Sequence, residues 1–328
     1  MSGTPSGVLS GVLSGRVAVV TGAANGLGRA EALALARAGA SLVLNDVQGF
    51  SPAVSEAVVV PGDIGEWSTG ERLVAAALEA YGRLDILVNN AGVLRDRMIF
   101  SMSGDEWDTV LRVHLRGHFV TTRFATAYWR ELSKQSGGPV YGRIVNTSSE
   151  AFLLGSAGQP NYAAAKAGIA ALTVATARSC ARYGVRANAI CPRARTAMTA
   201  GLMGPPPADG AVDPLAPEHV APLVVHLASP AGEGINGEVF VVHGGVAAVL
   251  EPPRIRSVFT AAEHGSPDGM WTLESVQRAL AELSSGAGFM CEDTLGLASE
   301  TIGFLAGAGE QGDRGGEGVQ EVLPADRA

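Results

Sequence analysis

Tyr162 and Lys166 stand four residues apart in Asn161-Tyr162-Ala163-Ala164-Ala165-Lys166-Ala167-Gly168, a spacing that puts both side chains on one face of a helix, one turn apart. A phenol titrates near ~10 and is a poor acid–base group at neutral pH. An ammonium beside it favours the phenolate and brings that value down. The pair therefore suits proton transfer to or from an oxygen. Ser149, thirteen residues before the tyrosine in Asn146-Thr147-Ser148-Ser149, carries a hydroxyl that could polarise a carbonyl oxygen or hold an alcohol. Tyr and Lys at this spacing are also commonplace on helix surfaces. Two features favour chemistry: from Tyr162 on, the segment is otherwise Ala and Gly, and Lys166 is one of only two lysines, with Lys134, against 22 arginines.

A second constellation lies near the start of the chain, where the run Thr21-Gly22-Ala23-Ala24-Asn25-Gly26-Leu27-Gly28 follows an apolar stretch and precedes a helix-compatible one. Glycines at such a turn let the backbone pass close to a pyrophosphate, and the helix N-terminus supplies N–H groups and partial positive charge. Gly22, Asn25, Gly26, Leu27 and Gly28 are the loop residues expected against a dinucleotide. Asp46, eighteen positions beyond Gly28, closes the second apolar run. A carboxylate there accepts hydrogen bonds from ribose hydroxyls and repels a 2′-phosphate, which favours NAD over NADP. Lys166 could also hold ribose hydroxyls of the cofactor, tying proton transfer to nucleotide binding.

The elements that would position these groups alternate. Candidate strands are short apolar runs at Val17–Val20, Leu42–Asn45, Val58–Val60, Ile86–Val88, Arg143–Asn146, Val185–Ile190 and Val239–Val242, as expected for strands buried on both faces. Helix-compatible segments lie between them at Gly28–Ala38, Thr69–Tyr81, Trp107–Glu131, Asn161–Tyr183 and Glu218–Ala228. Alternation of this kind predicts an α/β fold, a doubly wound, Rossmann-like parallel sheet. Only sixteen residues separate Asp46 from Asp63, too few for a full helix and a strand, so a single turn at Ala53–Ala57 is expected there. The Pro/Gly-rich stretch 201–217 reads as a lid, because a final strand still follows it. Four regions are expected: a flexible leader at 1–14, one oxidoreductase-sized domain at 15–249, a C-terminal helical extension at 250–305 with a helix at Leu273–Ser284, and a disordered tail at 306–328.

TGxxxGxG, Asn89-Asn90-Ala91-Gly92 and Ser-x12-Tyr-x3-Lys, in this order, resemble the short-chain dehydrogenase/reductase family. The resemblance implies that Tyr162 is the general acid/base, Lys166 its pKa modulator and ribose ligand, and Ser149 the ligand of the substrate oxygen. It further implies that Asp63 and Ile64 flank the adenine, that Asn90 lines the cofactor cleft, and that Thr196 touches the nicotinamide carboxamide. The runs at 94–97, 112–119 and 217–224, with Trp271-Thr272-Leu273-Glu274-Ser275-Val276, are similar to the (3R)-hydroxyacyl-CoA dehydrogenase module of peroxisomal-type multifunctional β-oxidation enzymes. Three positions depart from the common family pattern. His114 stands where most members place an asparagine that holds a relay water, and it matches the hydroxyacyl-CoA branch. An imidazole can hold the same water or satisfy backbone groups, and both readings stay open. Pro192-Arg193 replaces the common Pro-Gly, and Arg193 and Arg195 are either solvated loop arginines or contacts for a substrate phosphate or carboxylate.

The balance of 24 basic and 32 acidic residues, net −8, argues against a nucleic-acid scaffold. Three cysteines outside any CxxC spacing argue against a disulfide framework and a structural metal, and fit a reducing compartment. No apolar run approaches the roughly 18 residues of a membrane span; a soluble, cytoplasmic protein is expected. The small-residue helix after Tyr162, with the family resemblance, implies a homodimer or homotetramer. The reading is an NAD-dependent oxidoreductase interconverting a secondary alcohol and a ketone, with 3-hydroxyacyl and 3-oxoacyl thioesters as substrates. Two rivals differ from it: a biosynthetic ketoreductase for carrier-bound, polyketide or steroid-type substrates, and a catalytically silent NAD-binding regulatory protein.

Overall fold

The computed structural model describes residues 11–199, 203–208, 211–281, 283 and 297. Its elements run β1 (Val17–Thr21), α1 (Gly26–Arg37), β2 (Ser41–Asn45), β3 (Val58–Val59), α2 (Trp67–Tyr81), β4 (Ile86–Asn89), α3 (Gly104–Leu111), α4 (Gly117–Ser136), β5 (Gly142–Thr147), α5 (Ala151–Leu154), α6 (Pro160–Cys180), β6 (Val185–Pro192), α7 (Ala221–Ala228), β7 (Val239–His243), β8 (Val246–Val249) and α8 (Leu273–Ala281). The strands form one eight-stranded sheet in the order β3-β2-β1-β4-β5-β6-β7-β8. The first seven pair in parallel, each with its neighbours. The expected all-parallel sheet needs one correction, because β8 pairs antiparallel with β7. Gly244-Gly245 makes the two-residue hairpin between them, a turn that glycine favours. Val246-Ala-Ala-Val249 is a half-exposed edge strand, and its two central alanines carry little strand preference, which is why the pattern passes over it.

Burial on both faces explains the continuous apolar strands. On one side α1 and α7 cover the sheet, joining Leu35, Leu42, Val88, Val224 and Leu227 in one core. On the other, α2, α4 and α6 contribute Leu73, Trp129 and Ala177 to a second. Trp129, fully buried, satisfies its indole by donating to Leu84 O at 2.7 Å. Leu13 belongs to the first core, and its N–H donates to Ala38 O, so the packed chain already includes part of the expected leader.

Helix ends follow local chemistry. Ser103 and Glu106 form a capping box at the start of α3, Pro160 occupies the first turn of α6, and α2 ends on left-handed Gly82. The expected continuous helix Trp107–Glu131 is two helices joined by a π-turn, Arg112–Arg116; such turns insert an extra residue that re-aims a side chain. Between β2 and β3, Ala53–Ala57 is a turn rather than a helical turn, closed by Ala57 N–H to Val54 O. The helix expected from Glu218 begins at Ala221, after a 3-10 turn at Pro217–His219. Within the expected extension, the described residues include the helix α8; most of 282–305, the whole 306–328 tail, and 200–202 and 209–210 of the lid lie outside the described residues.

Candidate active site

The strand order reverses between β1 and β4, and at the carboxyl ends of these strands lies a cleft of about 460 Å³. This is where doubly wound sheets bind ligands. Its walls include Gly22, Asn25, Gly26 and Leu27 from the loop after β1. Gly22 and Gly26 have left-handed φ of +66° and +53°, a conformation that glycine adopts without strain. Gly28 does not line the cleft; it lets α1 approach β1, since a Cβ there would sit 2.2 Å from Gly22 O and 2.5 Å from Asn90 Nδ2. The first turn of α1 carries no acidic residue, and Asn25 makes no side-chain cap. Its N–H groups are thus left to an anion.

Asp46 lies on the cleft wall, fixed by Ala24 N–H to Oδ2 (3.1 Å) and Val47 N–H to Oδ1 (2.8 Å). Asp63 and Ile64 line the same wall. Asp63 accepts from Gly65 N–H at 2.8 Å and from Arg112 Nη1 at 2.6 Å. Asn90 donates to Thr21 O and Gly22 O, so its amide braces the glycine turn from the β4 side. Thr196, whose side chain lies beside Gly26 of the turn, faces the cleft with Pro192 and Ala194.

Tyr162 and Lys166 meet as the spacing predicts, with Lys166 Nζ 5.3 Å from the phenol ring centre. Both line the cleft; Ser149 does not, but its hydroxyl stands near enough to the Tyr162 phenol to draw the phenol's pKa down. Lys166 is 2% exposed, and its ammonium donates to Thr147 O at 2.6 Å. The electrostatics differ from the expectation. Burial pushes Lys166 down to about 7 and pushes Tyr162 up to about 12, against the pull of Ser149. Desolvation of a charged form outweighs the neighbouring partner here.

His114 sits on the π-turn, and its ring stacks edge-on against Tyr162 at 5.2 Å between centres. Nε2 lies 2.8 Å from Val93 O and 3.0 Å from Val93 N, so this nitrogen satisfies the backbone. Nδ1 is buried without a partner among the described residues. Burial first, then the Lys166 charge, holds the imidazole well below its usual range and neutral. Gly92 allows this approach, because a Cβ there would lie 2.4 Å from His114 Cε1. Thr147, which anchors Lys166, and Gly92, which admits His114, were missed as site residues, although both fall in the motif runs Asn146–Ser149 and Asn89–Gly92.

The two arginines after Pro192 are engaged by carboxylates of the protein itself. Arg193 forms a bidentate pair with Glu150. Arg195 pairs with Asp213 at 2.9 Å and donates to the carbonyls of Met203 and Gly204. Neither is a solvated loop residue.

The short chain dehydrogenase family model matches residues 16–203. Hydroxyacyl-CoA dehydrogenase ChsB1 of Mycobacterium tuberculosis is 55% identical over 264 residues, 75% of this chain and 83% of that protein. Peroxisomal multifunctional enzyme type 2 of mouse is 42% identical over 70% of this chain, which spans only 32% of that enzyme. The crystal structure of a short chain dehydrogenase from Mycobacterium avium superposes with a TM-score of 0.70 at 41% identity, covering 89% of this chain and 96% of that one. With the doubly wound sheet and the cleft at its reversal point, these matches establish that the chain belongs to the short-chain dehydrogenase/reductase family.

Proposed function

We propose that the protein is an NAD-dependent dehydrogenase that interconverts 3-hydroxyacyl-CoA and 3-oxoacyl-CoA thioesters. Family membership makes it an oxidoreductase acting on a CH–OH group with a nicotinamide cofactor. The observation that carries the reading is one cleft joining the Gly22–Leu27 turn and Asp46 at one end to Tyr162 and Lys166 at the other. The acyl-CoA assignment leans on the ChsB1 relative, whose identity runs across most of both chains.

The chain's residues fit a dinucleotide. The glycine turn is too tight for any side chain at Gly28, and the start of α1 is free of acidic side chains. Asp46 would hold the adenosine ribose hydroxyls and repel a 2′-phosphate, hence NAD. Lys166 would hold the other ribose, Asn90 would support the turn, and Asp63, Ile64 and Thr196 would flank the bases. Bound nicotinamide supplies the acceptor or donor of hydride. Tyr162 moves the proton at the substrate oxygen, and Ser149 fixes that oxygen by a hydrogen bond. At neutral pH the phenol is protonated in the free protein, so it is ready as an acid toward a ketone.

The test is formation of NADH, followed by absorbance, on a panel of 3-hydroxyacyl-CoAs with NAD or NADP. Turnover with NAD is expected and should vanish in Tyr162→Phe while NAD binding persists. Full activity of that variant would overturn the mechanism; NAD binding without turnover of any alcohol by the wild-type protein would favour a silent nucleotide-binding protein.

A further inference from the structure

Ser149 is followed by Glu150, and Glu150 is paired across the top of the sheet with Arg193. The two carboxylate oxygens accept from Nε at 2.5 Å and Nη2 at 2.7 Å, the fork geometry in which Arg–carboxylate pairing is strongest. Both side chains are largely buried, 8% and 16% exposed. Each partner is also fixed by its backbone. Glu150 O accepts from the N–H groups of Leu153 and Leu154, starting α5, and Arg193 N–H donates to Val242 O. Ser149 itself is held on the same turn, its Oγ accepting from Ala151 N–H at 3.2 Å. His243, buried at the end of β7, lies in the field of both charges and is kept neutral by burial.

Position gives the pair its consequence. Glu150 leaves the end of β5 with the serine; Arg193 leaves the end of β6 just before Ala194 and Thr196, which line the cleft. Two residues on, Arg195 grips Asp213 and the carbonyls at 203 and 204. The segment 193–195 is thereby tied inward to the serine turn and outward to Met203, Gly204, Asp213 and Leu215. A neutral pair can be buried at modest cost, whereas one unpartnered charge at this place cannot.

We propose that Glu150 and Arg193 are positioning residues, an ion-pair clamp that sets Ser149 against Tyr162 and the substrate oxygen. The proposal rests on the role given to Ser149 above. The clamp acts first on the reacting geometry; Asp46, Asp63 and Ile64, on the adenosine side, belong to other segments of the chain. A misplacement of about 1 Å at a reacting group can lower turnover by as much as roughly 100-fold.

The experiment compares Glu150→Gln, Arg193→Gln and Arg193→Lys with Ser149→Ala and the double variant Ser149→Ala/Glu150→Gln. Glu150→Gln and Arg193→Gln should each lower kcat by roughly 10- to 100-fold, with the Kd for NAD raised by a clearly smaller factor than the loss in kcat. Arg193→Lys, which keeps the charge and loses the fork, should recover part of that loss. In the Ser149→Ala background, Glu150→Gln should cost little further, because residues acting through one group are not additive. The same factor lost in both backgrounds, or an unchanged kcat, would overturn the clamp. A crystal structure of the Glu150→Gln protein judges it without any substrate: Ser149 Oγ displaced from the Tyr162 phenol supports it, and an unmoved hydroxyl overturns it. That arm separates failure of the clamp from failure of the proposed function, which wild-type turnover decides.

Discussion

Replacing Gly28 by alanine sets two effects of known size against each other. In a helix interior the exchange normally stabilises, by roughly 0.5–1 kcal/mol. Gly28 lies in α1, but its added Cβ would sit 2.2 Å from Gly22 O and 2.5 Å from Asn90 Nδ2, where ordinary contact begins at 3.4 Å. To restore contact, α1 must draw back from the turn by about 1 Å, and overpacking of this kind costs roughly 1–3 kcal/mol. The first obstacle is a backbone carbonyl, which cannot rotate aside, so the clash exceeds the propensity gain. Asn90 is displaced as well, weakening its bonds to Thr21 O and Gly22 O. Gly28→Ala should therefore lose about 1–2 kcal/mol in urea unfolding. NAD affinity, read by fluorescence titration, should fall by about tenfold or more, because the loop proposed to meet the pyrophosphate moves with the helix. Gly104→Ala is the control: Gly104 begins α3 and has nothing within 4 Å of the added methyl, so stability should hold or rise slightly. If Gly28→Ala is as stable as that control and binds NAD as tightly as the wild-type protein, the steric reasoning is wrong.

Asp46→Ala should raise the ratio of NADP to NAD activity by roughly tenfold or more, since it removes the carboxylate facing a 2′-phosphate; steady-state kinetics with both cofactors measure it, and an unchanged ratio would show that Asp46 only closes its turn through Ala24 and Val47. Glu31 is wholly buried in α1 with neither oxygen partnered among the described residues, and burial raises it from 4.5 to about 8. Its folded value lies above the unfolded one, so the stability linked to the neutral acid is complete below the unfolded value and is lost as pH rises through about 8. Glu31→Gln should thus have a small effect on Tm in acid and a stabilising one that grows toward about pH 9; a Tm difference that stays flat with pH would refute this.

How legible the molecule was in its sequence depended on how local each feature is. Tyr162 and Lys166 share one helix, and the glycine turn and Asp46 follow from two adjacent strands, so spacing alone brought them together. Ser149 needed the β5–α6 connection, yet its place beside Tyr162 also follows from a short stretch of chain. The Glu150–Arg193 pair was not legible: 43 residues separate its members, and only the parallel register of β5 with β6 brings the two strand ends side by side. The π-turn at Arg112–Arg116 was hidden for another reason. Its residues are as helix-compatible as their neighbours, and one extra residue per turn leaves no mark on the apolar pattern. Leu13 was masked by its Ser/Gly-rich surroundings, although one apolar side chain sufficed to dock the segment on the first core.

The charge state of the Tyr162–Lys166 pair could not be read from spacing, because burial enters with the opposite sign to proximity. A charged Lys166 about 5 Å from the ring contributes roughly 3 kcal/mol at an effective dielectric near ~20, about two pKa units. Burial holds the phenol up at about 12, so even a contribution of that size leaves it well above neutrality. Lys166, held down at about 7 by burial, is itself only partly charged at neutral pH. Thr147 O is the one acceptor on its ammonium among the described residues. Ribose hydroxyls would add acceptors and favour the charged form, and the positive charge of an oxidised nicotinamide would lower the phenol further. Proton removal from an alcohol by Tyr162 is then conditional on an occupied cleft. An arginine at 166 would keep its charge whatever the cleft contains and would abolish that condition. In a chain that otherwise uses arginine for nearly every cation, this gives a physical reason for lysine at the position.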